Sequence, residues 1–309
     1  MFILITPAHN EADQVDGLVR CIESSTLKPD IWLIVDDHSD DGTGEKFRKI
    51  GNQLDFMRIH RIEEARDYME FHISEILQAG LKSIQKAIIY ADFIGILDAD
   101  IRFGPKYWSH LANFLIQNPD FGIVSGILCS PDESGQLFVE PFQRIDNPRG
   151  GLRLINGKCF HQIGKLQRSR AWDSIMNVKC RLLGWKICII QNIFAESIRP
   201  TNDRYNEKSG ALSFGQRAWH LHQPFWQIII RSFALILRGN FKKGFYYFAG
   251  FFKAWWHREE QFPDKAIRHY YRYSRTLEWI HMSIKKICNK SSSIKLIPIK
   301  EIYSEDIFN

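Results

Sequence analysis

No two of the six cysteines (Cys21, Cys129, Cys159, Cys180, Cys188, Cys288) stand at CxxC spacing. That excludes a written zinc ribbon or dithiol redox motif. A chain of 309 residues buries enough core to need no disulfide framework, so free thiols in a reducing compartment are expected. Long hydrophobic runs are missing too. None reaches the ~18 residues of a spanning helix. The longest uninterrupted one, Gly244 to Phe252, is bracketed by Lys243 and Lys253. The opening MFILITPAHNEADQ carries no basic segment and no small-residue cleavage site, so no signal peptide is expected. There is no internal repeat. At 45% hydrophobic and 25% charged, the composition excludes collagen-like and mostly disordered chains.

Charge is placed unevenly. The net value is +6, but residues 225–290 hold 13 Lys+Arg against 4 Asp+Glu, which leaves the remainder near −3. The same 66 residues hold 17 of the 41 aromatics. This composition shift is the clearest boundary in the chain. It suggests a first domain over 1–222, a basic aromatic helical extension over 223–290 and a tail over 291–309.

The N-terminal half alternates strands and helices. Apolar runs at Phe2–Thr6, Ile31–Val35, Leu54–Ile59, Phe93–Leu97 and Phe121–Leu128 read as strands. Between them lie a helix capped by Asn10 and reaching Ser24, one ending near Gly51, and a long helical stretch from Glu63 to Lys86. Another helix starts near Pro105. Such alternation predicts an α/β fold, with a mostly parallel sheet flanked by helices. Ligands of such sheets bind at the carboxyl ends of the strands. The polar residues there are Pro7–Glu11, Asp36–Thr43 and Asp98-Ala99-Asp100.

Each cluster carries a possible chemistry. In the acidic turn, Asp36, Asp37, Ser39, Asp41 and Thr43 suit a turn with a helix cap, or hydrogen bonding to a nucleoside. Asp98 and Asp100, two apart at a strand end, share a face if the strand continues, and paired carboxylates suit a hard divalent cation. Trp172-Asp173 opens a helix that ends before Gly184-Trp185. Asp173 is a helix-start carboxylate or a general base. Gly150-Gly151 reads equally as a turn or as a loop facing a ligand. No Gly-x-Gly-x-x-Gly follows the first strand, which argues against a dinucleotide-binding site.

The ordered runs ILITPAHNEA, LIVDDHSDDGT and FIGILDADIRF, followed by Ala171-Trp172-Asp173 with Lys179 and Gly184, resemble the family 2 glycosyltransferases of the GT-A fold. The resemblance covers roughly Met1 to Pro200. It implies an inverting enzyme, of hexosyltransferase type, that moves a sugar from a nucleotide sugar to an acceptor hydroxyl in cell-envelope or surface glycan synthesis. Pro7, Asn10 and Glu11 would line the nucleotide pocket, and Asp36 or Asp37 would contact the base. Asp98 and Asp100 would form the metal-binding DxD motif with Mg²⁺ or Mn²⁺, Asp98 lying beside the donor. Asp173 would deprotonate the acceptor. Trp172 stands where the family often has a first acid. Gln78-Ala79-Gly80, with Arg66 upstream, is the nearest match to the family's basic-Asn-Gly segment. Glu196, His220 and His222 are candidates for a third metal ligand.

On family grounds a UDP-sugar is the first donor expected, with GDP-mannose and dTDP-rhamnose next. The acceptor would be a glycan or a lipid-linked species. The competing readings are a non-catalytic nucleotide-sugar-binding relative and another nucleotide-dependent transferase, although Pro7–Glu11 lacks the Gly-rich, Lys-bearing loop of the latter.

In the basic segment, Trp226, Ile229, Ile230, Phe233 and Leu237 recur at helical spacing, with Arg231 and Arg238 on another face. Packing against the catalytic domain is one reading. Contact with an anionic membrane surface is the favoured one, with the chain in the cytoplasm or peripheral on the inner face of the membrane. Nucleic acid is not expected as a partner, since no RNA- or DNA-binding motif is present.

Overall fold

The computed structural model describes residues 1–63, 72–131, 136–139, 143–199 and 207–278. They fall into two compact units that divide near residue 200.

The first unit is built on a mixed sheet. Its strands are β1 (Phe2–Ala8), β2 (Ile31–Asp37), β3 (Met57–Ile62), β4 (Phe93–Leu97), β5 (Ile101–Phe103), β6 (Phe121–Pro131), β7 (Leu137–Val139), β8 (Leu152–Asn156) and β9 (Lys186–Ser197). They are ordered β3-β2-β1-β4-β8-β6-β9-β5, with β7 paired to β6. β1 pairs in parallel with β2 and β4, β2 with β3, and β6 with β9. β8 runs antiparallel to both β4 and β6, and β5 and β7 are antiparallel to their neighbours.

Side chains alternate across each strand, so both faces of a covered sheet must be apolar. Phe2 and Leu4 join one core with Trp32 and Ile34, under α1 (Val15–Glu23), α2 (Thr43–Gly51) and α5 (Tyr107–Gln117). Ile3 and Ile5 join the other with Leu33 and Val35, under α3 (His72–Ser83), α6 (Gly157–Ile163) and α7 (Trp172–Leu182). A short helix, α4 (Gln85–Ile88), precedes β4. α1 buries Val15, Leu18, Val19 and Ile22, the i, i+3, i+4, i+7 stripe of an amphipathic helix. Each such side chain contributes about 1.5–3 kcal/mol when fully buried.

Three sequence expectations are corrected. Asn10 does not cap α1: the helix starts at Val15, its N-cap is Gln14, and no side chain caps it. The third strand begins at Met57 rather than Leu54, because Leu54 lies in a turn closed by the Met57 N–H on its own carbonyl (2.9 Å). Within the expected helix from Glu63 to Lys86, a break at Ile84 separates α3 from α4, and residues 64–71 with Arg66 lie outside the described ones.

Strand order reverses at β1: β2 and β3 lie to one side and β4 to the other. The crevice beyond the carboxyl ends of β1 and β4 is therefore where a sheet of this type takes its ligand.

The second unit contains α8 (Glu207–His220), α9 (Phe225–Leu237), α10 (Phe241–Trp256) and α11 (Lys265–His269), which continues into a π-helical turn, Tyr270–Ser274. Its core is small: Ala218, Ile228, Tyr247 and Phe251. His220 and His222 are buried, each with a ring nitrogen on a backbone carbonyl, Glu260 at 2.9 Å and Phe262 at 2.6 Å. Among the described residues, no helix is long and apolar enough to cross a membrane.

Candidate active site

The loops after β1 and β2 are stitched together. Asn10 adopts a left-handed conformation (φ 53°), which asparagine tolerates. Its N–H donates to Ser39 Oγ (3.1 Å), and its Oδ1 accepts from the Asp40 N–H (3.0 Å). The Glu11 N–H donates to Thr43 Oγ1 (2.7 Å), and the Ala12 N–H to Asp41 Oδ2 (2.9 Å). Much of the acidic turn thus serves to hold the first loop, supplying acceptors for backbone donors that would otherwise be unpaired.

Its two leading aspartates differ. Asp36 is fully buried; Oδ2 accepts from Arg61 Nη1 (2.8 Å) and Oδ1 from the Ser39 N–H (3.2 Å). Register places Arg61 beside Asp36 on the neighbouring strand. Gly44 leaves space for this pair, since a Cβ there would lie 2.2 Å from Asp36 Oδ2. Asp37, also buried, contacts His72 Nε2 through Oδ2, and His9 Nδ1 lies 2.6 Å from its backbone carbonyl. Asp37 Oδ1 makes no hydrogen bond among the described residues. Removing Arg61 isolates the buried Asp36 charge. Arg61→Ala is expected to lower unfolding free energy by about 2–3 kcal/mol, less than a fully buried pair because Arg61 is partly exposed. Urea denaturation measures it, and an unchanged midpoint would show that Asp36 needs no partner.

Asp98 and Asp100 come together through a turn, not through continued strand alternation. β4 ends at Leu97, and the Ile101 N–H closes back on the Asp98 carbonyl (3.2 Å). Arg102 fastens the turn to the start of α1, donating to the Ala99 (3.0 Å), Ile101 (2.9 Å) and Gln14 (2.9 Å) carbonyls.

Gly150 and Gly151 bring Asp173 to Asp98. The Asp98 N–H donates to the Gly151 carbonyl (2.8 Å), extending the β4–β8 ladder by one residue. A Cβ on Gly151 would fall 1.8 Å from Asp98 Oδ2. One on Gly150 would fall 3.1 Å from Asp173 Cβ and 3.5 Å from its Oδ2. The two glycines separate the two carboxylates by little more than bare backbone.

Burial, with the charges of Asp100 and Asp173, pushes the Asp98 carboxyl up to about 7, against the pull of Arg153. Arg153 is wholly buried. It lies over the Trp172 ring (5.4 Å) and donates to the Arg149 (2.7 Å) and Pro148 (2.7 Å) carbonyls. Its own burial brings the guanidinium down to about 10, opposed by Asp173, Cys180 and Asp98, so it stays charged at neutral pH. Trp172, where the resembled family often has an acid, is the lid over this arginine.

Arg199, two residues beyond β9, reaches back to the crevice. It contacts Glu11 Oε2 through Nη2, and its Nε lies 3.6 Å from Asp100 Oδ2. Arg102, Arg153 and Arg199 escaped sequence reasoning because a lone arginine carries no local signal. Pro7, half-buried, sits near the end of β1 beside this crevice. Of the third-ligand candidates, His220 and His222 serve the second unit's backbone, and Glu196 faces Arg102 across the β5–β9 ladder. Gln78 donates to the Leu166 carbonyl (2.8 Å), and Gly80 packs on Val35, so this stretch docks α3 on the sheet.

Among the described residues, no group of three or more His, Cys, Asp or Glu side chains is arranged to hold a metal. The Asp98–Asp100 pair nevertheless fits a hard cation. Mg²⁺ and similar ions commonly take one or two carboxylates and complete their shell with water and substrate phosphates.

The nine-stranded mixed sheet found among the described residues, with acidic residues gathered at its reversal point, is the architecture of the GT-A glycosyltransferases, and solved structures similar to it bear that out. The mannosyltransferase PcManGT from Pyrobaculum calidifontis, solved with GDP-Man and Mn²⁺, superposes with a TM-score of 0.52 at 14% identity, covering 94% of this chain and 88% of that one. Residues 1–349 of Staphylococcus aureus TarS, solved with UDP-GlcNAc, give a TM-score of 0.53 at 14% identity over 70% of this chain. With UDP, the same TarS fragment gives 0.51 at 16% identity over 69% of this chain. The chain spans 65% of the length of that fragment. A comparison with curated protein sequences finds no match. The sequence model of glycosyl transferase family 2 matches residues 3–167, just over half of the chain. The protein belongs to that family.

Proposed function

We propose that this chain transfers a sugar from a nucleoside diphosphate sugar to an acceptor hydroxyl, with inversion at the anomeric carbon. The observation that carries the reading is the convergence of Asp98, Asp100 and Asp173 at the sheet's reversal point, held by Gly150 and Gly151.

The nucleotide would lie over Pro7, Asn10 and Glu11. Asp37 is the better base contact of the two aspartates, since its buried Oδ1 has an acceptor position to fill, whereas both oxygens of Asp36 are engaged. Arg199 would exchange Glu11 and Asp100 for the donor diphosphate. Asp98 and Asp100 would hold Mg²⁺ or Mn²⁺. When bound, that ion supplies positive charge against the leaving diphosphate. Asp173 would take the acceptor hydroxyl proton as the oxygen bonds to the anomeric carbon. The bond from that carbon to the diphosphate breaks on the opposite face, and its electron pair leaves with the nucleoside diphosphate.

The bound nucleotides of the neighbours, UDP-GlcNAc for TarS and GDP-Man for PcManGT, support a nucleotide sugar as donor. A UDP-sugar remains the first candidate, before GDP-mannose and dTDP-rhamnose. The acceptor would be a glycan or a lipid-linked species of the cell envelope, met at the inner face of the membrane.

Nucleoside diphosphate release from a panel of UDP-, GDP- and dTDP-sugars, with Mn²⁺ and with excess chelator, tests the reading. One donor should release diphosphate with Mn²⁺, and chelator or Asp100→Asn should suppress that release. Release unchanged by both would overturn the metal role. Tight donor binding with no release toward any acceptor or water would mark a non-catalytic relative.

A further inference from the structure

The α9–α10 pair turns most of its large hydrophobic side chains outward, the inverse of a water-soluble helical unit, and keeps only a few in its core. Trp226, Ile229, Ile230, Phe233 and Leu237 form one stripe along α9, and all five are exposed, Leu237 at 72%. The inward side of the same helix carries Ile228 and Ser232. α10 repeats the arrangement, with Phe245, Phe252 and Trp256 outward and Gly244, Tyr247, Gly250, Phe251 and Ala254 inward.

The glycines explain the inversion. A Cβ on Gly244 would come within 2.6 Å of the Ser232 carbonyl of α9. One on Gly250 would come within 2.1 Å of the Leu212 carbonyl of α8, and one on Gly215 within 2.1 Å of the Tyr247 carbonyl. α10 therefore packs backbone to backbone on both neighbours. Contacts this close leave room between the helices for only two of α10's rings, Tyr247 and Phe251, and most of the others are left exposed. Large exposed apolar side chains concentrated on two packed helices in this way mark an interaction site.

Charge selects the occupant. From Phe225 to Arg258 there are six cations (Arg231, Arg238, Lys242, Lys243, Lys253, Arg258) and no Asp or Glu. A symmetric contact with a second copy would set these cations against themselves. Nucleic acid would use the aromatic rings for stacking, but it has no use for the aliphatic ridge of Ile229, Ile230 and Leu237. A bilayer surface matches both properties, with anionic headgroups for the cations and the acyl boundary for the ridge.

We propose that the outward face of α9 and α10 is a membrane-interface surface that binds anionic phospholipid. It deepens the acceptor side of the proposed function, which it needs only for the acceptor's identity. Binding is measured without donor or acceptor, so its failure and that of the transfer reading are separable.

The test is flotation of the full chain with vesicles of phosphatidylcholine alone or mixed with phosphatidylglycerol. The chain should float with the anionic vesicles at low salt, stay behind with the neutral ones, and be released as salt rises. Arg238→Glu with Lys242→Glu should weaken partitioning about tenfold or more. Phe233→Ser with Trp256→Ser should weaken it comparably, with thermal midpoints close to wild type in both cases. Should either double variant fail to fold, quenching of wild-type tryptophan fluorescence by brominated phosphatidylglycerol replaces it as the readout. No flotation at low salt and no quenching would overturn the proposal. So would vesicle binding that none of these substitutions alters. Binding of an RNA oligonucleotide without vesicle binding would reassign the face to nucleic acid, and dimerisation abolished by Phe233→Ser would reassign it to a second copy.

Discussion

Asp173→Asn is expected to lower turnover by about 10²–10⁴-fold, the range that a positioned general base contributes. Asparagine keeps the size and the helix-start position in α7 but cannot take a proton. Donor affinity should change little, because the proposed nucleotide contacts lie on β1, the loop after it and β2, and the proposed metal contacts on the turn after β4. Steady-state release of nucleoside diphosphate at saturating donor and acceptor measures turnover, and calorimetric titration with the donor measures affinity. If affinity collapses while saturated turnover persists, Asp173 is a donor contact and the acid–base assignment fails.

Gly151→Ala is expected to abolish most activity through a side chain that touches no substrate. Its methyl would stand where the Asp98 carboxyl now stands, with Cβ 2.0 Å from Asp98 Cγ. Asp98 is short, and its backbone is tied to Gly151 itself, so neither can move without opening the ladder between them. Overpacking of this kind costs about 1–3 kcal/mol in stability. Displacing a reacting group by an ångström costs about 10²-fold in rate. Thermal unfolding should therefore show a folded, destabilised protein, and the release assay a loss of about 10²-fold or more. Gly150→Ala meets its neighbours at 3.1 Å, so it should be milder on both measures. Equal, near-wild-type activity in both variants would remove the glycine pair from the account of the site.

The alternation of apolar runs with helical stretches was enough to read β1 to β4 and β6, because strands buried on both faces leave continuous hydrophobic segments. Phe93–Leu97 is β4 to the residue, and Ile31–Val35 lies within β2. Boundaries drifted where a turn is apolar, as at Leu54, whose side chain joins the core although its backbone turns. β5, β7, β8 and β9 were not read as strands, and the reversal of β8 was not legible either. Its short run, Leu152-Arg153-Leu154-Ile155-Asn156, carries no direction of its own, and only its two partners decide its sense.

The acidic site was half legible. Asp98-Ala99-Asp100 stands out because it follows an apolar run, whereas Asp173 stood out as a helix-start carboxylate and through the family resemblance, with Lys179 and Gly184 behind it. Which of Asp36 and Asp37 has an oxygen without a hydrogen bond among the described residues was not legible, since the answer lies in Arg61 on β3 and His72 on α3. The stripe on α9 was read correctly as a stripe, but the direction it faces depends on Gly244 of the next helix.

The linear chain thus determined part of the pattern: five of the nine described strands, which carboxylates follow them, and where cations and aromatics concentrate. These are one-dimensional properties, set by hydrophobic period and composition. The tertiary structure alone decided proximity: the Gly150–Gly151 hinge between Asp98 and Asp173, the buried Arg153 beneath Trp172, and the return of Arg199 to Glu11 across 188 positions. Contacts of that kind depend on how strands pair and how closely backbones approach, and neither quantity is written in the residues of one segment.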